Sequence, residues 1–134
     1  MKLLIVDDEE LIRNVIKEYA KLENYEVDEA EDGDAAIEKA LSKDYDVIVM
    51  DIMMPKRDGF SAIREIKKIK DVPVIVLSAR TMEEDKLNGF DLGIDDYVIK
   101  PVSPKELIAR IKAVTKKKKG CNFTVSNMVK LPLM

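Results

Sequence analysis

The sequence contains no histidine, a single cysteine and no apolar run of membrane length. Without histidine the chain cannot build a His-containing zinc site, a histidine general base, or a Ser–His or Cys–His nucleophile. Cys121 has no partner for an internal disulfide, which suits a reducing compartment. No stretch approaches the roughly 18 apolar residues of a membrane-spanning helix, and Met1 leads into a strand-like run instead of a signal peptide. A cytoplasmic chain without membrane contact is therefore expected. Positive charge is unevenly spread. The net charge is −3, yet five lysines (116 to 119 and 130) lie in the last 19 residues without an acid, which leaves the first 115 residues at −8. Such an acidic body gains nothing from phosphate contacts, so any DNA binding must come from elsewhere.

What is present is enough for one domain: 134 residues, 46% hydrophobic and 37% charged, can enclose a single core. Strand-like runs at 3–6, 25–30, 46–50, 72–77 and 96–99 (β1 to β5) alternate with helical periodicity near 10–22, 34–43, 59–69, 83–92 and 104–117 (α1 to α5). In α1 the 3–4 spacing runs through Leu11, Ile12, Val15, Ile16, Tyr19 and Leu22, with Arg13, Lys17 and Glu18 expected to face water. Asp32-Gly33 breaks the chain before α2, Gly93 suits a helix C′ position, and Ser103-Pro104-Lys105-Glu106 reads as a capping box with proline at N1. β1, β3 and β4 are continuously apolar, as strands covered on both faces must be. Five βα units of this length predict an α/β, doubly wound parallel sheet. From Lys116 the periodicity fails. The lysine run reads first as a solvated helix end and linker and second as a membrane or nucleic-acid patch, and 123–129 is compatible with a short strand.

In "KLLIVDDEELI" the first strand stops against four acids. Asp7 follows β1, Asp51 follows β3, Ser78 follows β4 and Lys100 follows β5, all at carboxyl ends, where open parallel sheets bind ligands. An Asp-Asp pair alone is more often a helix N-cap than a metal site, and Ser78 or Lys100 alone says nothing. Four such residues at the ends of four strands are a much rarer coincidence. Asp7, Asp8 and Asp51 brought together repel one another unless a cation intervenes. Their hard oxygens suit Mg²⁺, with Mn²⁺ tolerated. With the Lys100 ammonium and the Ser78 hydroxyl they make a set suited to phosphoryl transfer, in which Asp51 is the expected nucleophile. An ionised carboxylate needs no general base. Glu9 and Glu10 favour the positive end of α1.

The segments "LLIVDDE", "DVIVMDIMMPKRDGF", "VPVIVLSA" and "GIDDYVIKPVSPKELIARIKAV" resemble the receiver domain of bacterial two-component response regulators, the family of CheY, over roughly residues 1–117. The resemblance implies a five-stranded sheet of order 2-1-3-4-5. It implies Asp51 as phosphoacceptor, and Asp8, Asp51, the Met53 carbonyl and, mostly through water, Asp7 as the Mg²⁺ shell. Lys100 would hold the phosphoryl group, across a cis peptide to Pro101. Ser78 and Tyr97 would be the hydroxyl and aromatic switch residues, Ala79 the small residue beside the pocket, and Met53 and Arg80 the positions that tune phosphoryl lifetime. The domain would catalyse its own aspartyl phosphorylation and dephosphorylation, with a sensor histidine kinase as donor.

The last third resembles the OmpR/PhoB subfamily, whose members dimerise through the α4-β5-α5 face. That likeness implies a homodimer when phosphorylated, with cross-subunit pairs Lys86–Glu106, Asp96–Arg110 and Asp95–Lys112 around Leu87 and Ile108. Such proteins continue into a winged-helix domain. Residues 118–134 are expected to be a linker or tail, and "CNFTVSNMVKL" within them resembles the first strand of that domain. DNA would be reached only through a C-terminal domain missing here. A stand-alone CheY-like receiver acting by protein contact is the alternative. A haloacid-dehalogenase-type phosphatase would need a second acid at Met53, and a pseudo-receiver would lack the acceptor, an acid of the pair or the lysine; neither condition is met.

Overall fold

Each apolar run becomes a strand of one parallel sheet in the computed structural model, which describes residues 1–52, 59–78, 93–101 and 103–120, the last four by backbone alone. The strands are β1 (Lys2–Val6), β2 (Glu26–Ala30), β3 (Val47–Asp51), β4 (Val74–Ser78) and β5 (Asp96–Ile99), in the order β2-β1-β3-β4-β5. The helices are α1 (Glu10–Leu22), α2 (Gly33–Ser42), α3 (Gly59–Lys67) and α5 (Pro104–Gly120). The helix expected near 83–92 lies outside the described residues. α5 continues three residues past its expected end, into the lysine run.

The sequence pattern explains the two layers. Along β1, Leu4 and Val6 point to one face and Leu3 and Ile5 to the other, the period-2 alternation of a strand. The first face joins Ile48, Met50, Val74 and Val76 to Ala36 and Ala40 of α2 and to Phe60, Ile63 and Ile66 of α3. The second joins Val47, Val49, Ile75 and Leu77 to Ile16 and Ala20 of α1 and to Leu107, Ile108 and Ile111 of α5. β1, β3 and β4 are buried on both faces, and each buried Leu or Ile contributes about 2 kcal/mol of transfer free energy.

Local chemistry sets the boundaries. The β4 ladder starts at Val74 instead of Val72 because Pro73 has no N–H to give; its carbonyl accepts from Ile48 N at 2.9 Å, and Val74 N is taken by Asp95 Oδ2 at 2.9 Å. β3 and β4 each run one residue further than the sequence suggests, so Asp51 and Ser78 are strand termini instead of the first residues beyond. Asp32 caps α2 by accepting from Ala35 N at 2.8 Å. Gly93 has φ 78°, the left-handed conformation expected of it. Ser103 Oγ accepts from Glu106 N at 3.4 Å, ahead of Pro104 at the first helical position. After α1 the chain reverses through Asn24 at φ 63°, in the left-handed region that asparagine tolerates.

Candidate functional site

The carboxyl edge gathers the residues that end β1, β3, β4 and β5. Asp7, Asp8 and Asp51 each present a carboxylate oxygen within 4.8 Å of the others. Asp7, Asp51 and Ser78 are buried, whereas Asp8 is exposed. Lys100 Nζ donates to Asp7 Oδ2 and to Asp51 Oδ2, both at 3.1 Å. Lys100 also docks onto β4, its N–H donating to the Ser78 carbonyl at 2.7 Å, and the Lys100–Pro101 peptide is cis.

The electrostatics follow from that count. Burial opposes the Lys100 ammonium, but Asp51 and then Asp7 outweigh it, so its pKa lies above the ordinary lysine value. Lys100 is charged at neutral pH, and among the described residues its ammonium is shared between the Asp7 and Asp51 carboxylates. The donor set is all hard oxygen, with neither imidazole nor thiolate within the cluster, and one carboxylate opens to solvent. These residues fit a hard divalent cation of the Mg²⁺ class.

Asp7 is held at every polar atom. Its N–H donates to Ala30 O at 3.2 Å, its carbonyl accepts from Arg13 Nη1 at 2.7 Å, Oδ1 accepts from Glu9 N at 2.9 Å, and Oδ2 accepts from Lys100. The Glu9 amide is thus the α1 N-terminal donor that Asp7 satisfies, while the Glu9 side chain makes no cap. Arg13 does not face water as expected: its side chain is 12% exposed and spans from Asp7 to Glu29 of β2. Gly59 was also missed. A Cβ there would lie 2.5 Å from Ile52 Cα and 2.8 Å from the Asp51 carbonyl, so only glycine lets α3 start against the end of β3.

Comparison with known proteins identifies the family. The family described as "Response regulator receiver domain" matches residues 3–112. This chain belongs to that family. It is 43% identical over 126 residues to the transcriptional regulatory protein ResD of Bacillus subtilis, covering 94% of this chain and 52% of ResD. It is 39% identical over 116 residues to the transcriptional regulatory protein SrrA of Staphylococcus aureus, covering 87% of this chain and 48% of SrrA. The chain thus spans about half the length of these relatives. Among solved structures, the response regulator protein TrrA of Thermotoga maritima, in complex with Mg²⁺-BeF, superposes with a TM-score of 0.75 at 38% identity, over 84% of this chain and 97% of that one. The receiver fold and strand order implied by the sequence motifs are those observed.

The other expected site residues divide by their surroundings. Tyr97 is half-buried against the core layer beneath α2 and α3. Met53, Ala79, Arg80, Lys86 and Leu87 lie outside the described residues. The residues expected at the dimer face have these places within one chain. Ile108 is 7% exposed and packs into the core layer shared with α1. Lys112 reaches Glu23 at the end of α1 at 2.6 Å, while Asp95 is engaged by Val74 N. Helical geometry explains both, since positions 108 and 112 share the flank of α5 opposite to that of 106 and 110. Arg110 pairs with Asp96 at 2.9 Å within the same chain, and with Glu106 at 3.9 Å. Among the described residues, no helix is long and apolar enough to cross a membrane.

Proposed function

We propose that this receiver domain is the phosphoacceptor module of a two-component response regulator. A sensor histidine kinase supplies the phosphoryl group and Asp51 accepts it. The observation that carries the reading is Lys100 Nζ set between Asp7 and Asp51 at the edge where three carboxylates converge. An Asp51 carboxylate oxygen attacks phosphorus; the O–P bond forms as the N–P bond of the donor phosphohistidine breaks, and the electron pair returns to the imidazole. Lys100 is placed to receive a phosphoryl oxygen as its contact to Asp51 is given up. Asp8 and Asp51, with the Met53 carbonyl, would hold Mg²⁺ or Mn²⁺ directly. Asp7, whose oxygens are already engaged, would do so through water. The cation supplies neutralisation of the acids and of the incoming phosphate.

A protein donor must reach Asp51 from the carboxyl edge, where the N-terminal ends of α1 and α5 lie. There Leu11, 79% exposed, and Val15 line with Ile12, Ile16 and Pro104 an apolar groove of about 320 Å³, which suits the apolar face of a partner helix. The phosphorylated state would then be relayed by Ser78 and Tyr97 to the α4-β5-α5 face. The paired charges of Glu106, Arg110 and Asp96 would there exchange into a homodimer, together with Lys86 and Leu87. Because ResD and SrrA are transcriptional regulatory proteins about twice the matched length, the output is transcription through a further DNA-binding domain, in the cytoplasm.

Beryllofluoride with Mg²⁺ tests this reading. The wild type should show saturable amide shifts around Asp51, Ser78 and Lys100, and Asp51→Asn should show none. Equal shifts in both proteins would remove Asp51 from the role.

A further inference from the structure

If the three carboxylates hold a divalent cation, as proposed above, something must aim Asp8, the one acid of the three that is exposed. We propose that Arg13, braced by Glu29, is the positioning residue that does so. The Asp7 carbonyl belongs to the peptide joining Asp7 to Asp8, so the plane of that peptide fixes the direction in which Asp8 leaves the chain. Arg13 Nη1 grips this carbonyl at 2.7 Å. Arg13 Nε is anchored on Glu29 Oε1 at 3.1 Å, while Lys17 Nζ takes Glu29 Oε2 at 2.8 Å. Lys39 Nζ donates to the Glu29 carbonyl. Glu29 is therefore held from α1 and α2 at once, and it neutralises a guanidinium that would otherwise repel a cation nearby.

The planar guanidinium is what allows one side chain to hold a carbonyl and a carboxylate in fixed relation; an ammonium is a single point charge. Groups that orient ligands without touching the metal are commonly worth about 10-fold or more in metal affinity. The sign of the effect separates positioning from charge. Removing a positive charge from the neighbourhood should by electrostatics alone tighten cation binding. Loss of the grip on the Asp7 carbonyl should weaken it.

MgCl₂ titrations followed by amide shifts on wild type, Arg13→Gln, Arg13→Lys and the neutral pair Arg13→Met/Glu29→Met test this. The double variant removes one charge of each sign, so net charge is conserved while the donor is lost; it also releases Lys17 from Glu29, and a Lys17→Met variant measures that contribution separately. The expected result is a Mg²⁺ Kd about 10-fold weaker in Arg13→Gln and in the double variant, with a smaller loss in Arg13→Lys. Metal-free, the Glu9 amide, held by Asp7 Oδ1 at 2.9 Å, should exchange faster in Arg13→Gln and the double variant. A wild-type or tighter Kd in the folded variants, whatever their melting temperature, would overturn the positioning role. A wild type with no saturable response to Mg²⁺ would instead overturn the cation reading, and this role with it.

Discussion

The two edges of the sheet treat charge in opposite ways. At the amino edge and its flanking helix ends, carboxylates meet partners of their own: Asp46 takes the Lys2 amide at 2.7 Å, Asp44 takes Lys70 at 2.6 Å, Glu23 takes Lys112 at 2.6 Å, and Asp95 takes the Val74 amide at 2.9 Å. At the carboxyl edge, among the described residues, three acids converge, two of them buried, and the two buried ones share the Lys100 ammonium. One-to-one pairs at a surface stabilise little and ask for nothing further. A buried excess of one sign is costly, and it persists where a ligand of the other sign completes it.

The largest break in that contrast should come from Lys100→Met, which removes the ammonium shared by buried Asp7 and Asp51. Urea unfolding should show a loss of about 3 kcal/mol without metal, and Mg²⁺ should recover part of it. An effect below the precision of the titration would show that the lysine is not needed to hold the acids together. Gly59→Ala should come next, at about 2 kcal/mol, because the added Cβ meets backbone, not a flexible side chain; a wild-type urea midpoint would mean that α3 can draw back freely. Asp8→Asn should act in the opposite direction. Metal-free, it relieves repulsion on the order of 1 kcal/mol and raises the melting temperature, but it should abolish the rise that millimolar Mg²⁺ gives the wild type by mass action. At the amino edge Asp44→Asn should leave both the melting temperature and its Mg²⁺ response unchanged; a Mg²⁺ response altered there would erase the difference between the edges.

Acid should expose a smaller effect on the flank formed by β2. The Tyr45 hydroxyl, chiefly, holds Asp28 below the usual carboxylate range, and Lys17, followed by Arg13, does the same for Glu29, in each case against burial. A folded pKa below the unfolded one gives stability that is complete above the unfolded value and is lost as pH falls through the folded one. The urea midpoint should therefore be level near neutrality and fall on acidification through the carboxylate range. Tyr45→Phe should shrink that fall; an unchanged acid slope would assign the pH dependence elsewhere.

Sequence periodicity located the strands and the described helices because β1, β3 and β4 are apolar without interruption and α1 repeats at 3–4 spacing. It could not say how wide the buried face of α1 is. Leu11 and Leu22 match the stripe as well as Ile16 does, yet they are 79% and 77% exposed, on the margin beside it. The acids of the site were legible because their chemistry resides in side chains at strand ends. Arg13 was not, since its partners are a backbone carbonyl and an acid on another element, 6 and 16 residues away. Gly59 was hidden for a related reason: what it supplies is the absence of a Cβ against Ile52. The intrachain contacts of Ile108 and Lys112 depend on which flank of α5 turns toward α1, which a charge pattern along the sequence does not encode.

The central claim, that the carboxyl edge is a phosphoryl-acceptor site centred on Asp51, is tested most directly by incubation with acetyl phosphate and Mg²⁺ followed by intact-mass analysis. The account predicts one phosphoryl group on the wild type, dependent on Mg²⁺ and absent from Asp51→Asn. Equal phosphate uptake by Asp51→Asn, or uptake indifferent to Mg²⁺, would contradict it.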